Sequence, residues 1–282
     1  MKTDPYPAAG GLVRVYPASR ASGIGLLWAH GGAFEFGDLD MPEADWVARS
    51  LAMRGITVVS VDYRLASDDL HYPGPSDDIL TAWAWARDNR ELLGIDPDGL
   101  SIGGASAGAN LVTGAVLRML EVHSGGLPST LVLAYPSLLA VQSPPDQELE
   151  DALKAHPVGE MFGPARIRAM YETYFGGPID TAPLPVTPGL ATPADLMGFP
   201  PVLVINSEID DLSISGEIFA TSLRDAGRKI TLITEPGTAH GHLNRPDETA
   251  ATTSVGRIAR WLAANSQNKM SGDPLTERIR RP

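Results

Sequence analysis

Leu100-Ser101-Ile102-Gly103-Gly104-Ala105-Ser106-Ala107-Gly108-Ala109-Asn110-Leu111 reads as a buried strand, a sharp turn carrying a serine, and the start of a helix. In a Gly-x-Ser-x-Gly turn the serine sits in strained backbone, and side chains two residues to either side would clash, so Gly104 and Gly108 are required. Ser106 is thereby lifted to the mouth of a site. The helix from Ala107 turns its free N–H groups and positive dipole end toward that serine, which suits an anion forming there. The same five residues also describe a small-residue helix entry that merely lets strand and helix pack. The flanking strand and helix favour the nucleophile, because both stand where the motif needs them.

Working outward, Ile24–Ala29 is a short apolar run that stops at His30-Gly31-Gly32-Ala33-Phe34, as a buried parallel strand ends at a polar turn. Two adjacent glycines let backbone approach a ligand and leave N–H groups unshielded. Pro42–Arg54 has the pattern of an amphipathic helix, and Ile56–Val61 is too β-branched to be one. Tyr72-Pro-Gly-Pro75 breaks the chain before a helix over Asp77–Leu93, whose Trp83 and Trp85 pack in the core or at its edge. A strand over Leu100–Gly103, a helix over Asn110–His123 and a strand over Leu131–Tyr135 follow. After an interruption the alternation resumes with a strand at Pro201–Ile205, a helix at Ser215–Ala226, a strand at Ile230–Thr234 and a last helix at Thr249–Ala264. Such alternation predicts an α/β chain with a mostly parallel central sheet covered by helices on both faces.

The interruption holds eleven prolines from Pro136 to Pro200, an acidic helix near Gln147–Lys154 and an aromatic-bearing helix near Pro164–Phe175. It is too long for a strand-to-helix loop and predicts a reduced cap over residues 136–198, inserted after the strand that follows the nucleophile helix. Residues 1–135 and 199–265 then form the core, and the polar stretch 266–282 is expected to be a flexible tail.

The 282 residues suit one large α/β domain with insertions, or at most two small domains. A net charge of −12 argues against nucleic acid or an anionic membrane as partner. No cysteine is present, which excludes disulfides, thiolate metal sites and cysteine nucleophiles. No segment has the signature of a secretion signal or approaches the ~20 apolar residues of a membrane span, so a cytoplasmic location is the expectation.

A serine needs a base to take its proton and an acid to hold that base in the right tautomer. Glu208-Ile209-Asp210-Asp211 follows one late strand and His240-Gly241-His242 follows the next, giving the chain order Ser106, Asp210, His240 expected for such a sheet. His240 is preferred as the base, with His242 at the site edge or surface. Asp210 is preferred as the acid. Its rivals are Asp211, expected to point elsewhere on the loop, and Glu208, which lies nearer the strand end and could hydrogen-bond around the serine turn. The spacing lacks paired metal-ligand histidines, and neither metal nor cofactor is expected. Backbone N–H groups of Gly31, Gly32 and Ala107 are the candidate oxyanion donors, and His30 is expected to brace their loop.

Together, His30-Gly-Gly-Ala-Phe34, Asp62-Tyr-Arg-Leu65 with Asp77 and Asp78, Gly94-Ile-Asp-Pro97, Gly104-Ala-Ser-Ala-Gly108, Pro200-Pro201, Glu208-Ile-Asp210 and His240-Gly241 resemble the α/β-hydrolases, within them the esterases similar to hormone-sensitive lipase. The resemblance spans roughly residues 24–262. It implies a serine esterase with Ser106, Asp210 and His240 as triad, Gly31, Gly32 and Ala107 as oxyanion hole, and Asp62, Arg64 and Asp78 in structural positions. It also admits a homodimer through an exposed edge strand. Three departures stand out: Ala105 replaces an acidic residue or threonine, Asp211 replaces a proline, and the N-terminal cap helices are missing, which predicts a more open site covered chiefly by the insertion. The expected reaction is hydrolysis of small short-chain, acetyl-type esters through an acyl-serine. Amide or peptide hydrolysis by the same triad, and a non-catalytic ligand-binding role, are the alternatives.

Overall fold

Ile56-Thr-Val-Val-Ser-Val61 is buried at every position, as a strand covered on both faces must be. It is one of eight strands in a single sheet. The computed structural model describes residues 4–122, 126–157 and 162–270. In chain order the elements are β1 (Tyr6–Ala8), β2 (Val13–Tyr16), β3 (Gly23–Ala29), α1 (Asp45–Ala52), β4 (Ile56–Val61), α2 (Gly74–Asp88), β5 (Ile95–Ala105), α3 (Ala107–Glu121) and β6 (Leu131–Ala134). They continue with α4 (Gln147–Ala155), α5 (Pro164–Phe175), β7 (Val202–Ile209), α6 (Ser213–Asp225), β8 (Ile230–Ala239) and α7 (Thr249–Met270).

The sheet order is β1-β2-β4-β3-β5-β6-β7-β8, antiparallel from β1 to β4 and parallel from there on. One face is covered by α2, α3, α6 and α5, whose Ile79, Val112, Phe219 and Tyr174 share one apolar cluster. The other is covered by α1 and α7, through Leu51, Ile258 and Leu262. Strand ends decide where chemistry can sit. β3, β5, β7 and β8 stop at Ala29, Ala105, Ile209 and Ala239, so His30, Ser106, Asp210 and His240 each follow immediately at the carboxyl edge of the sheet.

Several boundaries differ from the sequence reading, for identifiable reasons. The helix α2 begins at Gly74 rather than Asp77, because Pro75 lies in the first turn, where its missing N–H would have had no partner. It ends by Asn89, whose side chain donates to the Trp85 carbonyl at 2.8 Å. Strands β1 and β2 were not expected; Val13-Arg-Val-Tyr16 is a short alternating run that forms by pairing antiparallel with β4. The last helix continues to Met270, into the first residues of the expected tail; residues 271–282 lie outside the described ones, as does His123 at the expected end of α3. Among the described residues no helix is long and apolar enough to cross a membrane.

Candidate active site

Ser106 sits in strained backbone, with φ +51° and ψ −118°. The turn is closed by contact as well as by strain. A Cβ on Gly108 would come within 2.3 Å of the carbonyl oxygens of Ala29 and His30, and one on Gly104 within 2.6 Å of the Gly108 backbone. The strands and the helix therefore meet at distances that only glycine permits. The Ser106 N–H donates to the Ala134 carbonyl at 2.9 Å, which ties the turn to β6.

His240 lies between the serine and the acid. Its Nε2 is 2.8 Å from Ser106 Oγ, and its Nδ1 is 2.8 Å from Asp210 Oδ2. A carboxylate can only accept, so Nδ1 carries the proton and Nε2 is left to accept from the serine hydroxyl. Asp210 is 1% exposed, and its other oxygen accepts from the Leu212 N–H at 3.0 Å. Burial is the largest single influence on His240 and works against its charged form. The charge and hydrogen bond of Asp210, followed by the charges of Glu43 and Asp211, outweigh it, and the imidazole pKa ends above its usual value.

The rivals separate cleanly. Glu208 accepts from the Gly237 N–H at 2.8 Å, bridging β7 to β8 rather than reaching the serine turn. His242 is fully buried, not at a surface. Its ring nitrogens meet Ser207 Oγ and Ser254 Oγ, both at 2.9 Å, and burial, then the charges of Arg245 and His240, pull its pKa down to about 3. Asp211 is buried beside Asp210, and burial, then the charge of Asp210, raise its carboxyl to about 7. Arg64 and Asp78 form a two-pronged ion pair with both contacts at 2.9 Å, tying the segment after β4 to α2 outside the site.

The glycine loop after β3 departs from the sequence reading at one residue. The Gly31 N–H donates to a carboxylate oxygen of Glu43 at 2.5 Å and is already engaged. Among the described residues, nothing accepts from the N–H groups of Gly32, Ala33 or Ala107. The loop turns through Gly32 (φ +116°), Ala33 (φ +53°) and Phe34 (φ +68°), and two of those conformations are strained for an L side chain. Phe34 anchors it by stacking on Tyr174 of α5 with ring centres 4.3 Å apart. His30 braces it from below, with Nδ1 2.7 Å from the Gly31 carbonyl and its ring stacked on Tyr63 at 4.4 Å. Residue types alone do not say which N–H of such a loop is free; that depends on the φ angles. Glu43, Tyr135 and Asn244, which meet beneath this loop, carry no motif and were not legible either.

The site is covered from the segment expected to cover it. Phe162, from the 136–198 segment, lies edge-on to His240 with ring centres 4.6 Å apart, and Ser106 is 7% exposed.

Comparison with known proteins bears on this geometry. Residues 26–244 match a family described as alpha/beta hydrolase fold. Carboxylesterase NlhH of Mycobacterium tuberculosis is 34% identical over 82% of this chain and 71% of its own length. Ethyl acetate hydrolase of Pseudomonas putida is 30% identical over 78% of this chain and 66% of its own. Among solved structures, the thermophilic carboxylesterase EstE1 from a metagenomic library superposes with a TM-score of 0.78 at 28% identity, covering 94% of this chain and 88% of that one.

Proposed function

The chain belongs to the α/β-hydrolases, among the esterases similar to hormone-sensitive lipase, and is a carboxylic ester hydrolase; from that premise we propose that it cleaves short-chain, acetyl-type esters through an acyl-enzyme on Ser106. One observation carries the reading: the unbroken line Ser106 Oγ, His240, Asp210, at 2.8 Å for each contact, beside three N–H groups from which no described residue accepts.

In this reading His240 Nε2 takes the hydroxyl proton as Ser106 Oγ bonds to the ester carbonyl carbon, and the carbonyl oxygen becomes an oxyanion. The free N–H groups of Gly32, Ala33 and Ala107 receive it, each such donor being worth ~3–4 kcal/mol in a well-studied protease. The tetrahedral adduct collapses as the imidazolium gives its proton to the leaving alcohol. Water then repeats the route, with His240 as base, and frees the acid and Ser106. Asp210 holds the tautomer throughout. Residues 136–198 act as a cap on a core of 1–135 and 199–265, and the close approach of Phe162 to His240 favours a small acyl group. The name of the ethyl acetate hydrolase relative points the same way.

The test is hydrolysis of p-nitrophenyl esters from acetate to laurate by the wild type and Ser106→Ala. Turnover that is greatest for acetate and butyrate, and absent in Ser106→Ala, is expected. Preference for laurate would overturn the acyl assignment, and activity surviving Ser106→Ala would overturn the mechanism.

A further inference from the structure

Glu43 is a buried carboxylate, 1% exposed, with which no Lys or Arg forms a salt bridge among the described residues. An unpaired buried charge is costly and persists only where donors replace water. Here three donors arrive from three segments. One oxygen accepts from the Gly31 N–H of the glycine loop; the other accepts from the Tyr135 hydroxyl, at the end of β6, and from Asn244 Nδ2 at 3.2 Å, on the loop that carries His240. The Asn244 amide is itself fixed, because its Oδ1 accepts from the Glu43 N–H at 3.1 Å. The Tyr135 ring lies edge-on to His240 at 5.0 Å. Tyr135 keeps its proton to donate, since burial, then the Glu43 charge, push its phenol well above the ordinary value.

We propose that Glu43 is a positioning residue for ester hydrolysis: its carboxylate clamps the glycine loop to the histidine loop, so that the Gly31 peptide faces away from the reaction and the next two N–H groups remain for the oxyanion. The inference rests on the Ser106 mechanism above. It adds a geometric and an electrostatic consequence. Gly31 touches both partners, as a Cβ built on it would meet Glu43 Oε1 at 2.7 Å and Ser106 Cβ at 3.0 Å, so any drift of Glu43 moves the donors relative to the serine. The negative charge of Glu43 also favours the imidazolium that His240 becomes in the transition state.

A glutamine cannot replace it, although the shape is nearly the same. Its NH2 would face either the Gly31 N–H or Asn244 Nδ2, so one contact becomes a clash of donors, and the charge is lost. Wild type, Glu43→Gln, Glu43→Asp and Ser106→Ala are compared by kcat and KM for p-nitrophenyl acetate across pH, and by inhibition with a trifluoromethyl ketone, which forms an oxyanion adduct. Glu43→Gln is expected to lower kcat ~10- to 100-fold, with KM within about threefold of the wild type and ketone affinity falling in parallel. Its acid limb of kcat/KM moves to lower pH, because His240 loses a neighbouring negative charge. Glu43→Asp keeps the charge and shortens the reach, so its limb stays with the wild type while kcat falls. If Glu43→Gln does not fold, Tyr135→Phe and Asn244→Ala each remove one donor and are expected to lower kcat partway. Near-wild-type kcat in folded Glu43→Gln, a loss confined to KM, coincident limbs for Gln and Asp, or unchanged kcat in both donor variants would overturn the proposal. Activity that persists in Ser106→Ala would instead remove the mechanism on which it stands.

Discussion

At the scale of single residues the site is a balance of charges around His240. Asp210 is the carboxylate that touches the ring, and Asp210→Asn would present an amide that can hold Nδ1 in the wrong tautomer. A fall in kcat of ~10³- to 10⁴-fold is expected with the fold intact, measured by turnover alongside circular dichroism. Asp211 is buried beside Asp210 and behaves differently. Its carboxyl holds a proton to about pH 7 in the folded chain against an ordinary value of 3.8, so its ionisation opposes folding as pH rises through that window. The wild type should therefore lose more thermal stability than Asp211→Asn between about pH 5 and about pH 8, the two differing least near pH 4. Melting curves across that range check the sign.

At the scale of elements, the site is an arrangement of strand ends and the turns that leave them. Gly108→Ala would drive a methyl into the carbonyls of Ala29 and His30 at 2.3 Å, and backbone cannot yield as a side chain can. A loss of stability above ~4 kcal/mol, or failure to fold, is expected by thermal or denaturant unfolding. The glycine loop depends on a more distant support. Phe34 is fully buried against Tyr171 and Tyr174 of α5, and Phe34→Ala should cost about 3–5 kcal/mol while lowering kcat more than KM, because the loop that carries the free N–H groups is released. Such elements explain what could be read in advance. Strands buried on both faces, like Ile56–Val61, announce themselves by β-branched apolar runs, and the serine turn by glycines whose need is local. The edge strand Tyr6–Ala8 offers three residues, one of them proline, and forms because β2 is there to pair with it. Asp210 and His240 were legible from chain order after late strands. Glu43 was not, since nothing local marks a carboxylate whose partners lie 12, 92 and 201 residues away.

At the scale of the whole molecule, the question is whether residues 136–198 form a unit of their own. Their apolar side chains argue otherwise. Ile167, Met170, Tyr171, Tyr174, Val186 and Leu196 belong to the same buried cluster as Ile79, Val112 and Phe219 of the core helices. Polar ties run the same way: Asn110 of α3 donates to the Ser137 and Val186 carbonyls at 3.1 Å, and the Tyr72 N–H donates to the Tyr174 carbonyl at 2.7 Å. A segment that shares its core with the sheet cannot unfold without exposing that core, so loss of this segment and loss of the sheet should be one event. The chain supplies its own probe. All five tryptophans, Trp28, Trp46, Trp83, Trp85 and Trp261, lie outside 136–198. Tyr174→Ala removes a fully buried ring from the segment, and it should lower the tryptophan-detected melting temperature by on the order of 5–10 °C, together with the transition seen by circular dichroism. A tryptophan transition left in place while an earlier one appears in circular dichroism would mean that the segment melts separately. Phe162 would then cover His240 only as part of an independently moving segment, rather than as an extension of the same core that fixes Ser106.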